Sequence, residues 1–174
     1  MNRYLQNKKN WGFILLALLL TAQTKAQPQN DKASLSVHGA IYPNSCNEDQ
    51  QKKLRSILSK SSALDPDKAW RAIETFLCST RNDMSINTAL TFSKSEIKNN
   101  YEEAGVSPDS RVVKSTKETI ESLMANGNAW DVEIDANRNK LKVSYLKDEA
   151  CIEILIFKFH SAQWYLSEFS AACD

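Results

Sequence analysis

Two histidines, His38 and His160, are the chain's whole supply of the side chain that most often acts as general base or metal ligand near neutral pH. Neither has a second ligand at a recognisable spacing, and His160, in the run His160-Ser161-Ala162-Gln163, reads as a solvated turn residue. Asp131, Glu133 and Asp135 alternate, so on a strand they share one face, as a cation site or a carboxylate pair would need. Lys140 and Lys142 follow across a polar turn and answer those charges, which makes a salt-bridged, solvated face the better reading. If the chain were a hydrolase-type enzyme, Asp131, Glu133 and His160 would be its acid–base candidates. There is no Gly-x-Ser-x-Gly elbow, and four glycines in all leave no phosphate-cradling loop. The sequence therefore supplies no catalytic residue, no metal set and no cofactor motif, and the expectation leans away from an enzyme.

The four cysteines, Cys46, Cys78, Cys151 and Cys173, carry chemistry of another kind. None forms a Cys-x-x-Cys, which disfavours a thioredoxin-like pair or a zinc knuckle. Their number is even, and the chain opens like an exported one. Residues 1–26 read as a signal peptide: Arg3, Lys8 and Lys9, then ten residues from Trp11 to Leu20 that are apolar, then Thr24-Lys25-Ala26. That run is shorter than the about 20 residues needed to span a bilayer, so no membrane insertion is expected after cleavage. The signal holds four cations (Arg3, Lys8, Lys9, Lys25) and no acid, so its removal takes the formal charge from +1 to −3. A mildly acidic protein without a basic run is not a nucleic-acid binder. The expected compartment is the periplasm or the exterior, where disulfides persist.

The sequence elements must hold these residues. Residues 27–45 read as a flexible leader whose alternation at Leu35, Val37 and Ile41 can add a short edge strand, and residues 46–174 read as a single domain. Its last third is a four-stranded antiparallel meander. Trp130, Val132 and Ile134 alternate with acids, and Leu141, Val143 and Tyr145 alternate with polar residues. Folding about a four-residue turn, Ala136 to Asn139, pairs Asp135 with Lys140, Glu133 with Lys142, Ile134 with Leu141, Val132 with Val143 and Trp130 with Tyr145. Cys151 to Phe159 is apolar on both faces, as expected of a central strand covered on both sides. The last strand, Trp164 to Phe169, alternates poorly and predicts a bulge or an edge.

Before the meander lie helices. Asn47 and Gln50 resemble a capping box for a helix at 48–60, and Asp65-Pro66 opens one at 66–79. Residues 81–92 fit a strand or an irregular connection. Ser93 or Ser95 caps a short helix through Tyr101 that stops at Gly105, and Ser107-Pro108 starts a helix that ends at Asn126-Gly127. The fold class is α+β, with N-terminal helices packed on the C-terminal meander. In that layout Cys46 and Cys78 meet at the open end of a helical hairpin, and Cys151 and Cys173 at the open end of the last β-hairpin. The expected disulfides are therefore Cys46–Cys78 and Cys151–Cys173.

Trp70, Trp130, Tyr145 and Trp164 are the remaining candidates, either as core filling or as the lining of an apolar pocket. Helices followed by a long antiparallel meander, over Asp65 to Cys173, resemble the NTF2-like (cystatin-like) α+β domains in topology, without a sequence motif. The resemblance implies a helix-capped sheet enclosing a pocket near Trp70, Trp130 and Tyr145. That family spans enzymes, small-ligand binders and protein-interaction modules. The expected function is an exported binding domain for a protein partner, of the kind an envelope inhibitor or immunity-type protein represents. A carrier of a small apolar ligand is the alternative.

Overall fold

The computed structural model describes residues 33–36 and 46–174. The expected signal peptide, the rest of the expected leader and His38 lie outside the described residues. The order is β1 (Ala33–Ser36), α1 (Glu48–Lys60), α2 (Pro66–Leu77), α3 (Asp83–Thr91), β2 (Ser93–Glu103), β3 (Asp109–Lys114), α4 (Lys117–Leu123), β4 (Trp130–Asn137), β5 (Lys140–Leu146), β6 (Cys151–His160) and β7 (Gln163–Cys173). The strands form one mixed sheet in the order β1-β4-β5-β6-β7-β2-β3.

The expected meander is present as β4 to β7, but it is the middle of a seven-stranded sheet rather than the whole of it. β1 pairs with β4 at one edge, and the β2–β3 hairpin joins the other through a parallel β2–β7 pairing. Two expected helices are thereby corrected. The segment 93–105 is mostly strand because β2 has a partner on each side. Its single fully buried residue, Ile97, gives too little period-two signal to outweigh its helix-compatible charges. The expected helix from Ser107 divides into β3 and a seven-residue α4, capped by Thr116, whose side chain accepts from the Thr119 amide. Residues 83–91, read as strand or connection, form α3 under an Asn82 cap that accepts from the Ser85 amide.

The four described helices cover one face of the sheet. α2 carries Trp70, Ile73, Phe76 and Leu77 into a core that includes Ile97, Ile134, Leu141, Val143, Phe157 and Trp164. Phe76 meets Phe157 edge-on, with ring centroids 5.7 Å apart. The end of α2 is closed by the loop after α4: the amides of Ala125 and Gly127 donate to the Phe76 and Leu77 carbonyls, which otherwise lack partners within the helix. At the far end, the Trp164 Nε1–H donates to the Leu64 carbonyl at 2.7 Å, and the Leu64 amide donates to Arg138. The α1–α2 loop is thus pinned to the two hairpins of the meander.

Both expected disulfides are present. Cys46–Cys78 joins the start of α1 to the C-cap of α2 (Cα–Cα 5.3 Å), and Cys151–Cys173 links directly opposed residues of β6 and β7 (Cα–Cα 4.2 Å). No free cysteine remains among the described residues. No helix among them is long and apolar enough to cross a membrane.

The β4–β5 turn is two residues, Arg138-Asn139, not four, so the register is offset by two: Asn137 faces Lys140, Asp135 faces Lys142 and Ile134 faces Val143. An offset of two keeps every side chain on its expected face, and Val132, Ile134, Leu141 and Val143 are all buried. The β6–β7 turn places Ser161 and Ala162 at φ +49° and +61°, the conformation of a primed hairpin turn that favours Asn and Gly. Replacing Ser161-Ala162 with Asn-Gly should therefore raise unfolding stability by about 1–2 kcal/mol, the scale of left-handed strain in L-residues. A shift of the urea midpoint at constant slope would measure it. β7 carries the anticipated bulge at Ser167, whose hydroxyl donates to the Ile156 carbonyl, but it is not an edge strand, because β2 continues the sheet beyond it.

Candidate functional site

The odd-numbered residues of β6, Leu155 and Phe157, face the helices and are fully buried, whereas Ile152 on the opposite face is 46% exposed and Ile154 and Ile156 are half-buried. The expectation that this strand is covered on both sides is corrected: it lies in the middle of the sheet order, but among the described residues no element packs on its isoleucine face. Lateral neighbours belong to the same face by register. Ile156 lies between Lys142 and Glu168, Ile154 between Ser144 and Ser170, and Ile152 between Leu146 and Ala172. Farther out, Asn100 donates to Ser170 and accepts from Ser110, so polar side chains continue the face across β2 and β3. A short apolar ridge crosses an otherwise polar sheet surface.

A bulge extends that face. Between Trp130 and Glu133 the β4–β5 register shifts, with Asp131 at φ +47°. Trp130 consequently stands opposite Leu146 rather than Tyr145, so the expected Trp130–Tyr145 pairing does not form. Glu133 faces Ser144 rather than a lysine. Two hollows share Leu146 and Ile152. One, of about 340 Å³, lies over Glu133, Ser144 and Ile154; the other, of about 490 Å³, lies between the β2–β3 turn and the Cys151–Cys173 disulfide.

Beneath the face, Tyr145 and Glu153 are a cross-strand pair that points into the core, 1% and 4% exposed. The Tyr145 hydroxyl donates to Glu153 Oε2 at 2.5 Å, and Lys147 Nζ donates to Oε1 at 2.8 Å, so both carboxylate oxygens are engaged. Burial pushes the Tyr145 hydroxyl well above its ordinary value of 10.0, and the adjacent Glu153 charge adds to the shift. With a lysine as counter-ion and the tyrosine as donor, the arrangement satisfies a buried charge, and of its three side chains only Lys147 reaches solvent. Periodicity missed it because Glu153 falls at a core position of β6, where the pattern calls for an apolar side chain.

The four aromatic candidates do not line one cavity. Trp164 is fully buried, 5.2 Å edge-on from Phe159, and Trp70 is buried with the Arg55 guanidinium over its ring at 5.3 Å. Trp130 borders a cleft of about 430 Å³ with Arg81, Asn126, Asn128, Lys147 and Asp148, and its buried Nε1 has no hydrogen-bond partner. Of the acid–base candidates, His160 is exposed in the β6–β7 turn with Nδ1 2.8 Å from the Ser161 hydroxyl, at the end of the sheet away from Asp131 and Glu133. The structure does not bring the three together. No cluster of three metal-ligating side chains occurs among the described residues.

No family model matches the chain, and no curated protein matches it significantly in sequence. Among solved structures it is similar to a protein of unknown function with a cystatin-like fold from Nostoc punctiforme (11% identity, TM-score 0.41, covering 66% of this chain and 94% of that one). Two DUF4783 family proteins also match, each at 6% identity. The one from Bacteroides fragilis has a TM-score of 0.37 (60% of this chain, 95% of that one), and the one from Bacteroides uniformis 0.38 (64% and 98%).

Proposed function

We propose that this protein is an exported, disulfide-stapled binding module that engages a protein partner through the sheet face that no described element covers, as an envelope inhibitor or immunity-type protein does. The observation that carries the reading is the isoleucine row. Three large aliphatic side chains stand side by side on the central strand, and the one nearest the Cys151 end is 46% exposed. A side chain left half in water on a sheet otherwise paired and stapled is what an association surface looks like before it is covered. Export rests on residues 1–26 and is supported by two disulfides that use every described cysteine. The helical side contains the core and the satisfied Tyr145–Glu153–Lys147 group, which leaves the opposite face for recognition.

A photoreactive benzophenone side chain at Ile154 tests this in the exporting cell, with the same group at Lys53 on the exposed side of α1 as control. The expected result is one protein adduct, identified by mass spectrometry, from position 154 and none from position 53. Equal labelling from both positions would contradict the reading. A second reading, a small-ligand carrier of the kind NTF2-like domains include, draws on the partnerless Trp130 Nε1 beside its cleft. Native mass spectrometry separates the two, since a retained small molecule belongs to the carrier alone.

A further inference from the structure

The two hollows that share Leu146 and Ile152 have an aliphatic floor and walls in which acids outnumber cations. The floor is aliphatic, from Leu146, Ile152 and Ile154 and, at the β2–β3 turn, Val106, which is 56% exposed. The walls hold Glu102, Glu103, Glu149 and Asp174 around one hollow, and Asp131 and Glu133 beside the other. Lys142 is the single cation that lines either. Of these acids, Glu103 accepts from the Tyr101 hydroxyl, an uncharged donor that leaves its charge in place.

From this we infer that the partner's contacting segment is cationic and amphipathic: aliphatic side chains on one side to cover Leu146, Ile152 and Ile154, lysines or arginines on the other to meet the carboxylate walls. This names the partner class for the sheet face proposed above and rests on that proposal. Charge complementarity selects the occupant. A second copy docked with the Glu102–Glu149 hollow on the two-fold axis would set carboxylates against carboxylates, and an anionic lipid surface would be repelled from it. The lysines of the same sheet face, Lys98, Lys140, Lys142 and Lys158, lie beyond it toward the Ile156 end. An uncharged apolar segment would cover the floor but leave Glu102, Glu103, Glu149 and Asp174 around a hollow whose lining holds no cation. A basic segment does both, and its charge also steers encounter.

The test uses two synthetic 18-residue peptides with one leucine stripe, one bearing lysine and the other glutamate at every polar position. Each is titrated into the purified protein with isoleucine methyl groups labelled for NMR. The lysine peptide should shift Ile152 and Ile154 while Ile97 and Ile134 stay fixed, and its affinity should fall about tenfold between about 50 and 200 mM salt. The combined variant Glu102→Gln, Glu149→Gln, at exposed positions where folding is not at stake, should weaken it about fivefold. Equal binding of both peptides, or lysine-peptide binding that leaves Ile152 unmoved, would overturn the inference. An Ile154 adduct whose crosslinked segment is acidic or uncharged would also overturn it, while the proposal that this face binds a protein would stand.

Discussion

Replacing Trp164 with alanine is expected to lower unfolding stability by about 3–5 kcal/mol, the range for truncating a fully buried aromatic. The residue does two jobs that fail together. Its ring fills the core between β7 and the α1–α2 loop, edge-on to Phe159, and its Nε1–H satisfies the Leu64 carbonyl at 2.7 Å. The loss is a large share of the stability of a domain this size, so thermal unfolding should begin well below that of the parent. Trp164→Phe divides the effect. The ring is largely kept and the carbonyl orphaned, for a loss of about 1–3 kcal/mol. If both variants unfold at the same denaturant concentration, the Leu64 bond is what matters and the packing is not.

The second large effect is at the buried carboxylate. Lys147→Ala leaves Glu153, 4% exposed, with only a neutral donor, and should cost about 3 kcal/mol. That is the lower end for breaking a buried pair, because the Lys147 side chain is 38% exposed and water screens part of the interaction. Tyr145→Phe should cost about 1–3 kcal/mol at neutral pH by removing the donor to Oε2. It should also change the alkaline limb. In the unfolded chain the phenol ionises near its ordinary 10.0, while burial and the Glu153 charge keep it protonated in the fold. Above pH 10 the folded state therefore binds the extra proton, and stability declines as pH rises toward the folded value; below pH 10 both states hold the proton and this contribution is flat. The parent should lose stability above pH 10 faster than Tyr145→Phe does, so that urea midpoints of the two converge there. A constant gap up to pH 12 would mean that Tyr145 is not held in its neutral form by this site.

Strong local signals carried the part of the fold that was legible in advance. Asn47 and Asp65-Pro66 mark their helix starts within a residue, because caps and N1 proline act on the adjacent backbone alone. Both disulfides followed from the layout. The segment between Arg81 and Met124 was not legible, because its strands exist through partners far along the chain. β2 has one buried apolar residue and is held between β7 and β3, an arrangement no window of eleven residues contains. The β4–β5 offset arises from an Asn137 cap on the Lys140 amide that tightens the turn to two residues.

The candidate site was less legible for the same reason. Apolar residues on both faces of β6 predicted burial on both faces, yet a binding strand and a doubly covered strand carry the same pattern. Only the count of layers separates them, and among the described residues that count depends on four helices all packing on one side. The carboxylate walls are likewise assembled from the end of β2, the β5–β6 turn and the end of β7.

The central claim is that the Ile152–Ile154–Ile156 row faces outward. Solvent paramagnetic relaxation of the isoleucine methyl groups measures this directly in the purified protein, with Ile97, Ile120 and Ile134 as buried references. Relaxation strongest at Ile152, clearly above the references at Ile154 and Ile156, is the predicted result. Ile152 and Ile154 as protected as Ile97 would mean that this face is already covered, and the sheet would not be the binding surface.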